Sequence, residues 1–291
     1  MPDFSKITVV SITGLQSVAP GAALSIMHSV QALPGSHGLL ISPERPEGMP
    51  GWIGHVGIKP FGYLEYSLFV LYALGEFIKT EFALIVQDDG WVLNADKWQD
   101  AFFNYDYLGA PVHLARITQG TDAFYKRGFE WLNYRDRECR IENIYNGGFS
   151  LRSKRLLDAP RRFGLEFTIP VPGVCPGPPY ALDWEGEVVL EDVWLCLTVR
   201  QKLEAEGFIF PELDIARHFS IEHAAPFLHS PEFLPHIFGH HSKFRKIRSL
   251  NPKEIAYGLS EQQVAGTYGE NWIVDFLERS GYSIKWHNMP A

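Results

Sequence analysis

The stretch Ala83-Leu84-Ile85-Val86-Gln87-Asp88-Asp89-Gly90 constrains this chain more than any other. Four apolar residues run directly into two adjacent carboxylates and a glycine. A short continuous apolar run reads as a strand buried on both faces, the pattern of a parallel sheet. Asp88 and Asp89 then fall at the carboxyl end of that strand, where open α/β sheets bind ligands. Two adjacent acids repel each other unless a cation, an arginine or solvent offsets their charge. A hard divalent ion held to substrate phosphates would do so. Solvation of an ordinary acidic turn would also suffice, and for the triplet taken alone it is the simpler reading.

The surroundings of this strand predict its class. Residues 7–14 are β-branched and end in glycine, which reads as a first strand. Residues 22–33 have helical apolar spacing and stop before Pro34-Gly35. Residues 37–41 read as a second strand, 43–59 as a Gly/Pro-rich loop, and 63–77 as a well-buried helix. A short helix is expected over 91–103, a short strand over 105–110, a helix around 124–131, a strand over 145–151 and a short helix over 153–159. Residues 163–187 read as a long loop of the kind that often serves function. A helix over 191–206 and a strand over 208–213 follow. The tail is expected to be helical, with a capping-box spacing at Ser260 to Gln263 ahead of a helix over 272–279. Strand–helix alternation predicts an α/β fold with a mixed, mainly parallel sheet flanked by helices. Residues 1–250 form the main domain in this reading and 251–291 a helical C-terminal extension packed on it.

Bulk properties exclude several alternatives. The chain has 291 residues, 46% of them hydrophobic, which is enough for a large core. A formal net charge of -8 argues against a nucleic-acid partner, and the one basic run, Lys243 to Arg248, is short. Three widely spaced cysteines, Cys139, Cys175 and Cys196, form neither a zinc pattern nor a disulfide framework, so a reduced, cytoplasmic setting is expected. No signal peptide or membrane-spanning run is read, so any membrane contact is expected to be peripheral. Oligomeric state is left open.

Three further constellations join the acid turn. In Asn146-Gly147-Gly148-Phe149-Ser150-Leu151-Arg152, paired glycines in a strand mark a close approach of the backbone to a ligand or an acid, or else a bulge. Arg152 is placed to pair with a carboxylate of the same site. In Leu190-Glu191-Asp192-Val193, two acids open a helix, which its dipole favours on structural grounds alone; functionally, one of them is a candidate general base. In Phe238-Gly239-His240-His241, with Lys243 and Arg245 behind, a neutral imidazole suits a metal and the cations suit a diphosphate. A surface loop is the plainer reading in a chain with 11 His.

Taken in order, these segments resemble nucleotide-sugar glycosyltransferases of the GT-A fold. More closely, together with Tyr105 to Pro111 and Phe219-Ser220-Ile221-Glu222, they resemble a glycosyltransferase-like family that carries the domain-of-unknown-function label DUF5672. The resemblance covers roughly residues 7–245, and its motifs are specific as a set rather than singly. It implies a metal-dependent transferase, using Mn²⁺ or Mg²⁺, that moves a sugar from a nucleoside diphosphate to a glycan or other acceptor hydroxyl. A place in assembling a surface polysaccharide or another glycan follows by analogy. Asp89 would be the main metal acid, with Gln87 where the first Asp of an Asp-x-Asp-type motif commonly stands and Asp88 assisting. His240 would complete the metal site. Asp192 would be the catalytic base of an inverting enzyme, with Glu191 orienting it or the acceptor. Gly147, Gly148 and Arg152 would line the donor, Ser11, Ile12 and Thr13 would approach the nucleotide, and Lys59, Tyr66 and Lys243 would lie nearby. Two rivals stay open. One is a nucleotidyltransferase, against which the loop Thr13 to Ser17 counts because it lacks a basic residue. The other is a non-catalytic carbohydrate-binding or scaffold protein on a decayed transferase fold.

Overall fold

In the computed structural model of the protein, residues 2–169, 190–225 and 227–286 are described. The first half builds a parallel sheet. Strand β1 (Ile7–Ile12) is followed by α1 (Ala19–Ala32), β2 (His37–Ser42) and β3 (Ile53–Gly57), then α2 (Tyr63–Tyr72), α3 (Leu74–Phe77) and β4 (Phe82–Ile85). β1 pairs in parallel with both β2 and β4, and β2 pairs in parallel with β3. Every residue of β1 and β4 is buried, as their apolar runs predict. The alternation of side chains divides them between two cores. Ile7, Val9 and Leu84 pack with Ala22, Ala23 and Ile26 of α1 on one face. Val10, Ile12, Ala83 and Ile85 pack with Tyr66 and Val70 of α2 on the other. At about 1.5–3 kcal/mol for each large aliphatic side chain fully buried, this central pair anchors the sheet.

The second half of the sheet is antiparallel. The chain continues through β5 (Gly90–Val92), β6 (Tyr107–Gln119), β7 (Asp122–Lys126) and β8 (Arg140–Ser153), giving the order β3-β2-β1-β4-β8-β6-β7. β8 pairs antiparallel with β4 and β6, and β6 with β7. The result is a mixed α/β, Rossmann-like architecture. The strand order reverses at β1 and β4, and the crevice outside their carboxyl ends is where such sheets place ligands.

After β8 come α4 (Lys154–Arg162), capped by Ser153, then α5 (Glu191–Val193), a π-turn over Trp194–Thr198, α6 (Arg200–Ala205) and α7 (Leu213–Phe219). β9 (Ser220–Ile221) and β10 (Gly239–His241) join β5 in a small second sheet. β11 (Arg245–Leu250), β12 (Lys253–Tyr257) and β13 (Ser283–Lys285) form a third, with α8 (Glu261–Gly266) and α9 (Glu270–Arg279) between β12 and β13. Residue 251 falls in the turn of the β11–β12 hairpin. A separate core joins these parts, with Trp91 and Ile221 packed against Ile247, Ile255, Val264, Ile273 and Leu277. Among the described residues no helix is long and apolar enough to cross a membrane.

Several local expectations are corrected. The loop read over 43–59 contains β3, a parallel edge strand. The helix read over 63–77 is split at Ala73 (φ -122, ψ -37). The helix read over 91–103 is instead β5 followed by 3-10 turns, and the one around 124–131 is the β7 arm of a hairpin and another 3-10 turn. The strand read as ending at 110 runs through Pro111, where its register with β8 slips and no backbone N–H is required. The strand read over 208–213 is irregular chain leading into α7. The tail carries the capping box at Ser260 and the two helices, and adds β12 and β13. Most of the loop read over 163–187 lies outside the described residues.

Candidate functional site

The turn Gln87-Asp88-Asp89 leaves β4 at the switch point and sends its three side chains in different directions. Asp88 turns toward α1, where a side chain on Gly21 would come within 2.9 Å of its Cβ. Its Oδ2 accepts from Lys246 Nζ on β11 at 2.8 Å. Burial raises the Asp88 carboxyl above its ordinary value, and Lys246 works against that. Asp89 turns the other way, and its Oδ1 lies 3.2 Å from Nε2 of His241. Gln87 bridges two neighbours: its Nε2 donates to the Tyr66 hydroxyl (3.0 Å), and its Oε1 lies 3.2 Å from His241 Nε2.

His241 also faces Glu222, with Nδ1 and Oε1 3.7 Å apart. Burial opposes a charge on this imidazole, but the two carboxylates outweigh burial and push its pKa up to about 10. The imidazolium in turn overrides the burial effect on Asp89 and Glu222 and holds both carboxyls below their ordinary values. The turn is held in place from the C-terminal side. Ser242 N–H donates to Asp89 O (2.9 Å) and Ile247 N–H to Asp88 O (3.2 Å). Arg245, wholly buried, donates from Nη2 to the carbonyls of Glu222 and His241, each at 3.3 Å. Its Nη1 lies 3.6 Å from Glu270 of α9.

The glycine pair of β8 joins this acid turn to a second one. A side chain on Gly148 would fall 2.3 Å from His241 Nε2 and 2.8 Å from Gln87 Oε1. One on Gly147 would fall 2.5 Å from Glu191 Oε1 and 3.3 Å from Asp192 Cβ. Neither position has room for a Cβ, so the glycines are there for close approach, as their sequence context predicts. Gly147 N–H donates to Asp192 Oδ2 at 3.0 Å, and Val193 N–H to Asp192 Oδ1 at 2.7 Å. Gly148 N–H is taken by Asn146 Oδ1 at 2.7 Å.

The two acids of α5 have different partners. Glu191 is tied to Arg152, with Nη2 to Oε1 2.9 Å, and Arg152 is wholly buried with its guanidinium 4.8 Å from the centre of the Tyr107 ring. Asp192 has no cation of its own within ion-pair reach among the described residues. Burial first, and the neighbouring charge of Glu191 second, raise its pKa to about 7. A carboxylate with that pKa takes up and releases a proton near neutrality, which is what a general base requires.

Beside both acid turns, at the ends of β1 and β4, lies a pocket of about 250 Å³. Ser11, Ile12, Thr13, Gly14, Leu15, Val18, Phe61, Gly62, Tyr63, Tyr66, Gln87 and Asp88 line it. This volume is below the ~300–1,000 Å³ of typical small-molecule sites. It suits one flat fragment of a ligand whose remainder lies outside.

The structure therefore gathers Asp89, Gly147, Gly148, Glu191 and Asp192 about the β8 glycine pair, with Ser11, Ile12, Thr13, Tyr66, Gln87 and Asp88 lining the adjoining pocket. Other expected residues stand elsewhere. His240 is 1% exposed, and its ring is edge-on to Trp91 with centroids 4.1 Å apart, facing away from the acids. Arg152 serves Glu191 and, fully buried, has no surface to offer a donor. Lys59 is exposed and does not line the pocket; Lys243 is exposed and lies over the Phe244 ring. Their places are taken by His241 and Lys246, and Glu222 joins the acids. Adjacent strand residues point to opposite faces, so only one of His240 and His241 can reach the site, and the sequence does not reveal which. Glu222 had a signal, since it closes the segment Phe219 to Glu222.

Whether these residues suit a divalent ion can be judged from their unpaired atoms. Asp89 Oδ1 is buried without a hydrogen bond of good geometry and faces His241 Nε2, so an ion bound to Asp89 would have to displace the proton that the imidazolium keeps there. Among the described residues no group of three or more His, Cys, Asp and Glu is arranged to hold a metal unaided. Mg²⁺-type sites built on one or two protein ligands plus substrate phosphates need no such group. The set thus fits an ion that arrives with a diphosphate. A family model described as "Protein of unknown function (DUF5672)" matches residues 66–241 of the chain, and no curated protein matches it.

Proposed function

We propose that this chain, which belongs to the DUF5672 family, is a metal-dependent glycosyltransferase of GT-A type. It would move a sugar from a nucleoside diphosphate to an acceptor hydroxyl with inversion. One observation carries the reading. A carboxyl raised to about 7 and a second acid, held below its ordinary value by His241, flank the same glycine pair, beside a pocket at the strand-order switch.

Each group then has a role. The pocket between β1 and α2 takes the nucleoside, with Ile12, Leu15 and Phe61 as apolar walls and Ser11, Thr13 and Asp88 as polar edges. Lys246, bound to Asp88, stands ready to meet a phosphate. Asp89, and His241 once the ion has displaced its Nε2 proton, would hold the Mn²⁺ or Mg²⁺, which would supply Lewis-acid stabilisation of charge on the leaving diphosphate. Asp192 Oδ2 removes the proton from the acceptor hydroxyl as its oxygen attacks the anomeric carbon. Gly147 N–H orients Asp192 through its hydrogen bond. Glu191 is ion-paired to Arg152, and its charge, after burial, helps keep Asp192 basic. A single base without a second nucleophile favours inversion.

The test is a screen of nucleotide sugars for donor hydrolysis and transfer with Mn²⁺ present. At least one donor should turn over, Asp89→Asn should abolish its metal dependence, and Asp192→Asn should lower kcat by about 10²–10⁴. Turnover of Asp192→Asn within a few-fold of wild type would remove the base. Pyrophosphate release from a nucleoside triphosphate would favour the nucleotidyltransferase instead.

A further inference from the structure

Tyr63 has no part in the roles above, yet it occupies the junction they share. It is the first residue of α2 and is 63% exposed, while Tyr66 one turn on is 8% exposed. The two rings stack with centroids 6.3 Å apart and planes within 10°. Tyr66 is anchored from beneath by Gln87, which also touches His241. One edge of Tyr63 lines the nucleoside pocket. Its helix also packs against α5, which carries Glu191 and Asp192. Crowding of the hydroxyl end of this otherwise exposed side chain, and then the charges of Glu191, Asp192, Glu222 and Asp89, raise the Tyr63 phenol, so the hydroxyl keeps its proton and can donate.

The pocket holds only a fragment of a donor, so the diphosphate and sugar must extend from it toward Asp192. Tyr63 both lines that pocket and opens the helix that packs against α5, which puts its ring within reach of a ligand extending that way. A pyranose has an apolar C–H face and a rim of hydroxyls; tyrosine offers a flat apolar body and a polar tip, a matching combination. The ring already rests on Tyr66, so little freedom is lost when a ligand settles on it.

We infer that Tyr63 is the surface on which the transferred sugar lies, and that it distinguishes a sugar nucleotide from the bare nucleoside diphosphate. The inference rests on the glycosyltransferase reading. The experiment is titration calorimetry with Mn²⁺ on wild type, Tyr63→Ala and Tyr63→Phe. The probes are uridine, guanosine, adenosine and thymidine diphosphates, each paired with its glucose ester. Because Tyr63 also edges the nucleoside pocket, Tyr63→Ala should weaken both ligands, but the loss for the sugar ester should exceed the loss for the bare diphosphate by roughly tenfold or more. Tyr63→Phe, which keeps the ring and loses the hydroxyl, should lie between them. An equal loss for both ligands would place the ring against the nucleoside or in the fold, and no loss for either would place it outside the site; each overturns the inference while leaving the transferase reading intact. Failure of wild type to bind any pair would overturn both.

Discussion

Asp192→Asn should make the protein more stable at alkaline pH while removing its activity. In the folded state burial and Glu191 raise the Asp192 carboxyl from 3.8 to about 7. Each tenfold change in proton affinity is worth about 1.4 kcal/mol, so the difference corresponds to about 4 kcal/mol. The sign follows from which state holds the proton. Between about pH 4 and pH 7 the folded chain keeps a proton that the unfolded chain has released, so stability falls as pH rises through this window. Above about pH 7 the loss is complete, and the folded protein carries a buried charge next to another. Asparagine never ionises, so it escapes this loss. It accepts with only one oxygen, however, so one of the bonds from Gly147 and Val193 is lost, at a cost of about 1 kcal/mol. The variant should therefore match wild type to within about 1 kcal/mol at pH 5, where part of the loss already offsets the missing bond, and be about 3 kcal/mol more stable at pH 8. Urea unfolding of both proteins at both pH values reads this directly, and comparing the two at each pH cancels the other titrating groups. A difference between variant and wild type that stays constant within about 1 kcal/mol from pH 5 to pH 8 would show that Asp192 titrates normally, and the base argument would go with it.

Three other outcomes are expected. Glu191→Ala leaves the wholly buried Arg152 without its carboxylate and should cost about 3–5 kcal/mol in urea unfolding; a loss under 1 kcal/mol would mean the pair is solvated. Gly148→Ala forces His241 away from Gln87 and Asp89, so Mn²⁺ affinity measured by electron paramagnetic resonance should drop at least about tenfold while circular dichroism is unchanged; unaltered affinity would remove His241 from the ion's ligands. Glu270→Gln strips the buried Arg245 of its counter-charge and the Tyr257 hydroxyl of its charged acceptor, and a destabilisation of about 2–4 kcal/mol should appear in the same unfolding assay; a neutral result would mean Arg245 is satisfied by carbonyls alone.

The parts of this arrangement that could be read from the sequence share a cause. β1 and β4 announce themselves because burial on both faces demands unbroken apolar runs, and the acids after β4 stand out against that run. The Gly147-Gly148 pair is legible because few other reasons place two glycines in a strand. What escaped depends on partners distant in sequence. Lys246 is one cation in a basic run until β11 brings it to Asp88, and nothing local separates it from Lys243. His240 and His241 differ only in which face of a three-residue strand they occupy, and that parity is fixed by the pairing of β10 with β5 and β9. β3 lies hidden in a Gly/Pro-rich segment because an edge strand needs few apolar residues. The β6–β7 hairpin resembled a helix because its aromatic residues suit either structure once a sheet neighbour supplies the packing.

The contacts that hold the acid turn span about half the chain: His241 and Lys246 lie 154 and 158 residues beyond their partners Gln87 and Asp88. During synthesis, a ribosome that has finished the parallel half of the sheet has made a platform whose acids still lack their clamps. Only when α9 has emerged and Glu270 can meet Arg245 does the cleft acquire its final shape. On the proposed function, competence for a nucleotide and its metal should thus arise only after these late segments have emerged.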